Sequence, residues 1–459
     1  MSFGRLFLAI INAKGGTRGD METLTTGKPG KVILRFAIPI YLGYILQQVY
    51  QMVDNIIVGQ FVGANAFAAV GSTYGLYFLV SGFVWGITTG FTVLTAQKYG
   101  EGDLEKTRQT VGTAMLLSGI LTAIVTAVSL LCMPWLLKLL RTPKDIYGDA
   151  YAYIAIICAG MVAQVIYNLM AGILRAVGNS RVPLYFLILS AVLNIFLDLL
   201  FIAPLKMGTA GAALATVIAQ GISGTLCLIY IAKKVPFLKL KKEDFRFRKD
   251  LATSELSVGI PMALQFSITS IGMLIIQTSL NSLGTLAVTA YTVGNKVDVI
   301  LEQGPVAIGA TMSTYAAQNL GAGKIQRIRE GVKASLRIMV WYFLSLGILI
   351  FFGGKYVTYL FVSENVSAII GNVDLFLKIL AVTGIFLGVL CIFRSCVQGM
   401  GHGAVSLTGG VLELAGRAIV AGMTMYLGKF WCICLGYPLA WLFAAVFFIG
   451  VYWKVMKKM

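Results

Sequence analysis

Hydrophobic residues along this chain come in long runs, not in the alternation of half-buried strands or the single stripe of a soluble helix. A hydrocarbon core about 30 Å thick needs roughly 20 apolar residues per crossing helix. Stretches of that length follow one another between short polar breaks, near 33–58, 66–93, 110–135, 150–173, 183–204, 209–232, 256–281, 286–316, 333–361, 376–398, 404–427 and 431–453. Membrane barrel strands alternate over about ten residues, so runs this long and unbroken exclude them. The pattern predicts an all-α integral membrane protein with twelve transmembrane helices.

Composition narrows the class further. Of 459 residues 58% are hydrophobic and 12% charged, about half the charged fraction of a soluble domain. Ordinary soluble enzymes, disordered chains and disulfide scaffolds are excluded, and the 51 glycines suit crowded membrane helices. Ahead of the first span, the apolar run Leu6 to Ile11 is too short to cross a bilayer and makes no convincing signal peptide. Residues 1–30 are expected to be a flexible segment, with Met21 an alternative start. The seven cysteines fall in or beside apolar stretches and are expected to be buried thiols, without a disulfide or metal.

Lys and Arg (37) exceed Asp and Glu (19), for a net charge of +18. Mapped onto the spans, 28 of the 37 cations fall on the side that holds both termini, seven fall on the other, and Lys296 and Arg417 lie inside spans. Cytoplasmic loops retain positive charge, so both termini are expected in the cytoplasm. The densest stretch, Lys233 to Lys249, holds eight cations at the midpoint of the chain. It reads as a solvated linker and topological anchor rather than a nucleic-acid site. The predicted organisation is an N-terminal six-helix bundle over 31–232, a basic cytoplasmic linker over 233–254 and a C-terminal six-helix bundle over 255–459.

Internal repeats support two halves. The run Ala96-Gln97-Lys98-Tyr99-Gly100-Glu101-Gly102 recurs as Ala317-Gln318-Asn319-Leu320-Gly321-Ala322-Gly323, Ile38-Pro39 as Ile260-Pro261, and Gly63, Ala66 and Ala69 as Gly284, Ala287 and Ala290. Six spans per half give both copies the same orientation, hence parallel repeats about an axis along the membrane normal.

Ionisable residues inside spans are costly and mark function by default. Asp54 ends the first span, with Gln47 and Gln51 at helical spacing behind it, and Asp198 follows Asn194 by one turn in the fifth. If the two acids converge, repulsion and desolvation favour protonation or capture of a cation, and H+ and Na+ remain equally open. In the second half Lys296 could neutralise Asp298 or Glu302, and Glu413 and Arg417 are spaced for an intrahelical ion pair. Position 276, the repeat partner of Asp54, is Ile, which points to a coupling site in the first half alone. Pro39 and Pro261 predict helix kinks. His402 has no second ligand nearby, and no Walker loop or dinucleotide fingerprint occurs.

Taken together these motifs resemble the multidrug and toxic compound extrusion (MATE) family, in a DinF-like prokaryotic pattern. The resemblance covers residues 28–455. It rests on Ile38-Pro39, on Asp54-x-x-x-Val58-Gly59 with Gly63 and Ala66, on Gln97-x-x-Gly100 and its repeat, on Leu174-Arg175-Ala176-x-Gly178-Asn179, and on Gly208-Thr209-Ala210-Gly211-Ala212-Ala213. It implies two bundles forming a V-shaped cavity and an antiporter that exports organic cationic or amphipathic compounds in exchange for H+ or Na+ by alternating access. On that resemblance the coupling site is Asp54, Asn194, Asp198 and Thr216, which could also hold Na+. Gln47, Tyr153 and Asn168 are implied to line the N-terminal cavity. Glu255 is placed at the membrane edge of span seven and Asp374 near the start of span ten, so a C-terminal Na+ site is not expected.

The resulting expectation is a monomeric, multi-pass plasma-membrane transporter that takes small organic substrates, sits among membrane lipids, binds no nucleic acid, needs no cofactor beyond its coupling ion and catalyses no reaction. The alternative is a lipid-linked oligosaccharide or lipid flippase of the same superfamily. That would favour a strongly cationic cavity, whereas only Lys296 and Arg417 lie inside spans.

Overall fold

The computed structural model describes residues 23–140, 142–362 and 366–459. Most of the segment expected to be flexible over 1–30, including Met21, lies outside the described residues, as does Arg141. The long apolar runs form helices α1 (Pro29–Phe61), α2 (Ala64–Glu101), α3 (Leu104–Leu139), α4 (Lys144–Ala159), α5 (Met161–Ala176), α6 (Arg181–Ile202) and α7 (Gly208–Lys234). After the linker come α8 (Lys249–Asn281), α9 (Thr285–Gly321), α10 (Ile325–Gly353), the short α11 (Thr358–Phe361), α12 (Val366–Gly399), α13 (Val405–Leu427), α14 (Phe430–Cys434) and α15 (Gly436–Lys458). Helices suit the setting because each satisfies its own backbone hydrogen bonds where no water can.

Ten stretches, taking Ile325–Phe361 and Phe430–Lys458 each as one, are long and apolar enough to cross a membrane. The fourth predicted span, 150–173, is broken. Helices α4 and α5 meet at Gly160 with a 47° bend and together make an eleventh crossing. The twelfth is α9, at 37 residues more than long enough, whose apolar character is diluted by Lys296, Asp298 and Glu302. The protein is thus an all-α, multi-pass membrane protein with the predicted twelve crossings.

The chain divides into two compact units. One holds Leu42–Ala263, the other Thr25–Tyr41 with Leu264–Met459. The divide runs inside helices, two residues beyond Pro39 in α1 and two beyond Pro261 in α8. Each of these helices starts in one unit and ends in the other.

Within the first unit, α8 lies against α2 at a crossing of small residues. A Cβ on Gly86 would come 2.6 Å from the Ala263 Cα, and Gly259 sits directly against Gly90 one turn on. The basic linker keeps most of its cations exposed, as a solvated linker does, but is docked here through buried Asp244. It forms two short 3-10 turns, Pro236–Leu238 and Lys242–Phe245. Asp244, 3% exposed, accepts from Arg108 Nε and from the Lys241 backbone N–H, both at 2.7 Å. Arg248 donates to Gln109 at 2.7 Å. At the start of α3, Asp103 accepts from the Lys106 backbone N–H at 2.9 Å. That hydrogen bond holds its carboxyl below the usual carboxylate range.

In the second unit the lead-in to α1 is fastened to the α9–α10 turn. Arg327 donates to the carbonyls of Gly27 (2.8 Å) and Thr26 (3.1 Å), and Lys324 to that of Thr25 (3.0 Å). The turn is the repeat of the one ending α2, and both use a glycine in the left-handed region, Gly102 (φ 79°) and Gly323 (φ 70°), where a side chain would clash with its own backbone. All seven cysteines are free thiols. Six are buried as expected, but Cys132 is exposed, on the face of α3 that also exposes Leu131 and Trp135. A thiol needs no partner there if lipid covers that face.

Candidate ion-coupling site

Helices α1, α6 and α7 of the first unit bring the predicted polar residues together. Asn194 and Asp198 are one turn apart on α6, 2% and 0% exposed, and Asp54 reaches toward them from α1. With its amide nitrogen turned toward Asp54, Asn194 donates to Asp54 Oδ1 at 2.8 Å and Oδ2 at 3.2 Å, the orientation that satisfies both groups. The Asn194 oxygen then lies 3.5 Å from Thr216 Oγ1 on α7, whose hydroxyl can donate to it. Both Asp198 oxygens are buried and meet no donor. The Asp54 and Asp198 carboxyls are close enough to share a hydrogen bond once one carries a proton.

Two carboxylates that face each other with a single amide donor, bonded to Asp54 alone, repel, and a buried oxygen without a donor loses its hydration with nothing in return. A proton shared by the pair relieves both costs at once. A monovalent cation held by the two carboxylates and the neighbouring oxygens would do the same. Among the described residues no group of three or more His, Cys, Asp or Glu side chains converges to hold a metal ion.

The bend between α4 and α5 packs against α7 next to this site. At Gly160 the chain has no side chain, and Val217, next to Thr216, occupies the space a Cβ would need. An apolar collar of Ile57, Val58, Ala66, Ile202 and Ala212 flanks the acids, with Tyr153 packed against it. Tyr153, expected to line the N-terminal cavity, stands within electrostatic reach of both Asp54 and Asp198. Gln47 is drawn in through Tyr50, whose hydroxyl is in hydrogen-bonding contact with both Gln47 and Gln220. Asn168 is different. It stands one turn from Gln164 on α5 and makes no side-chain hydrogen bond among the described residues. Gln164 instead accepts from Ser81 at 3.2 Å, and Ser81 bonds Tyr77, a further neighbour of Asp54. The sequence reading missed Tyr50, Tyr77, Ser81, Gln164 and Gln220. Tyr50 and Gln220 were within reach of it, each one helical turn from a named residue, Asp54 and Thr216. Gln164 was equally within reach, one turn from the named Asn168, whereas Tyr77 and Ser81 had no such signal.

Pro39 lies within α1, which stays helical through it. Glu255, expected at the membrane edge, is fully buried in α8 with neither carboxyl oxygen bonded. In the second unit Glu413 and Arg417 do pair, at 3.3 Å, and Arg394 holds the other Glu413 oxygen at 3.3 Å. Lys296 neutralises neither acid of α9. Two positions along a helix point nearly opposite ways, and Lys296 is exposed while Asp298 is buried.

The MatE family model matches residues 39–200 and 261–424, one copy over each half of the chain. The chain belongs to the MatE family. It is accordingly a membrane transporter and not an enzyme. Its relatives in that family include two proteins of Bacillus subtilis. It is 29% identical to the probable multidrug resistance protein YpnP over 92% of this chain and 90% of that one, and 28% identical to the probable multidrug resistance protein YoeA over 77% and 79%. The fold matches that of a multidrug resistance MATE family transporter solved in an outward-facing conformation, with a TM-score of 0.88, 22% identity, and coverage of 95% of this chain and 98% of that one.

Proposed function

We propose that this MatE protein is a multidrug efflux antiporter of the plasma membrane that expels organic cationic or amphipathic compounds in exchange for H+ or Na+. Asp54, Asn194, Asp198 and Thr216 are its coupling site, and both termini face the cytoplasm. The observation that carries the reading is the Asp54–Asp198 pair, two acids in contact inside an apolar bundle with Asn194 as the donor beside them. The names of the two Bacillus relatives support the substrate class.

Coupling requires that the ion favour one conformation, since a ligand with equal affinity for two states shifts nothing. Here the ion changes what α1 touches. With the pair discharged, Asp54 can approach Asp198. With both ionised, repulsion drives them apart, and α1, which runs from one unit into the other, carries that displacement along its axis. Tyr50 and Gln47, both on α1, move with it relative to Tyr153 of α4 and reshape the N-terminal cavity, which is alternating access driven from one site.

The test is efflux of ethidium from proteoliposomes under an imposed H+ gradient and, separately, an imposed Na+ gradient. The active gradient names the ion. Asp54→Asn and Asp198→Asn are each expected to abolish gradient-driven efflux while eluting as monodisperse protein. Full efflux in either variant would overturn the assignment.

A further inference from the structure

The basic linker between the two halves has an inner and an outer face, and the inner one is packed into the first unit. Val235 and Leu238 are buried in its core, and Phe237 stacks on Tyr99 of α2 at 5.7 Å. Asp244 fixes how deep the segment sits. Its carboxylate is held by Arg108, and its backbone carbonyl rests on Gly112 of α3, where any side chain would collide with it. Gly112 lies two turns into α3, about 12 Å along the axis from Leu104. That is already inside the apolar stretch that begins near residue 110. A segment seated there is not held out in bulk water. It lies along the bundle at the depth where apolar helix gives way to lipid headgroups.

The outer face is cationic and aromatic together. Lys233, Lys239, Lys241, Lys242, Arg246 and Lys249 are exposed, against one exposed acid within the segment, Glu243. Among these cations Phe245 and Phe247 are 39% and 66% exposed. In water two such rings gain nothing from their position. At a membrane boundary the same rings enter the edge of the acyl layer while the cations meet phosphate, the pairing by which interfacial segments hold to a bilayer. Each Lys or Arg close to the surface gains attraction from an anionic leaflet that a zwitterionic one does not supply. A nucleic acid would use the cations equally, but the depth set by Gly112 puts headgroups, not a soluble polymer, against this face.

We propose that the outer face of the linker, over residues 239–249, is a docking surface for anionic phospholipid in the leaflet it borders. Phe245 and Phe247 seat at the acyl boundary, and Lys239, Lys241, Lys242 and Arg246 contact headgroup phosphates. The surface lies apart from Asp54, Asn194, Asp198 and Thr216 and stands whichever ion drives transport.

The test uses the full-length protein in nanodiscs of mixed phosphatidylglycerol and phosphatidylcholine, with bromine on the upper acyl chain of one lipid or the other. Phe247→Trp supplies the reporter, and its emission is read as the difference from the parent protein, which cancels the native tryptophans. Brominated phosphatidylglycerol is expected to quench the added indole several-fold more than brominated phosphatidylcholine at the same mole fraction. High salt should remove that preference, because it screens exposed charges. So should Lys239→Gln, Lys241→Gln, Lys242→Gln and Arg246→Gln combined, all exposed positions that leave the Arg108–Asp244 pair in place. The salt measurement needs no further substitution, so it remains decisive if the combined variant folds poorly. Equal quenching by the two lipids at low salt would overturn the proposal, as would a preference that persists in the folded combined variant. Quenching by neither lipid would also overturn it, and would give the face to water or to a soluble partner such as nucleic acid.

Discussion

Asp103 shows how much one side chain can contribute at a helix start. Its carboxylate accepts the Lys106 N–H at the head of α3, one of the donors every helix leaves unpaired. Because the hydrogen bond favours the ionised form, the folded-state pKa lies below the unfolded one. The stabilisation is therefore complete above pH ~4 and is lost as pH falls through the folded value. Asp103→Ala is expected to cost about 1 kcal/mol at neutral pH, and thermal unfolding of the two proteins should converge as the solution is acidified below pH ~4. Asn194 is the complementary case, a neutral donor beside the acids. Asn194→Leu removes the only side-chain donor bonded to Asp54 in the described hydrogen bonds while keeping the volume. Ion-driven efflux should fall steeply, with monodisperse elution unchanged.

Helix contacts in this protein depend on missing side chains as much as on present ones. Membrane helices gain no hydrophobic drive from one another and associate through close packing, which small residues permit. The α2–α8 crossing has Gly86 and Gly90 against Ala263 and Gly259, with a Cβ on Gly86 only 2.6 Å from backbone atoms that cannot yield. Gly86→Ala is expected to destabilise the first unit by about 1–3 kcal/mol, the usual cost of overpacking, visible as a lower unfolding temperature in detergent. Gly63→Ala tests a different cause, because no atom lies within 4 Å of its Cβ position and only its φ of 116° is strained.

At the scale of the whole molecule, the two lead-in segments are held by equivalent turns. Arg108 grips Asp244 ahead of α8, and Arg327 grips the Thr26 and Gly27 carbonyls ahead of α1. Each fastening fixes the start of a helix that ends in the other unit. Asp244→Ala leaves the Arg108 charge without its partner and removes the linker's buried anchor, so the linker should come loose. Trypsin is expected to cut between Lys239 and Lys249 much faster than in the parent protein, with a stability loss of about 2 kcal/mol. Equal cleavage rates would show that the linker is held by other contacts.

The sequence alone determined the class and the count of crossings, because the length and apolarity of a membrane helix are set by the bilayer and not by its neighbours. It determined the two halves through their repeats, and it singled out Asp54, Asn194 and Asp198, because polar residues in an apolar span stand out wherever the span goes, whereas Thr216 came only from the family resemblance. Only the tertiary structure decided what those residues meet. The bend at Gly160, the linker folded onto Arg108, the unbonded Glu255 and the triad that joins Arg394 to Glu413 and Arg417 all depend on contacts between residues far apart in the chain. Such contacts leave no local pattern. A spacing of four can foretell the Glu413–Arg417 pair within one helix, but the arrival of Arg394 from another is written only in the packing.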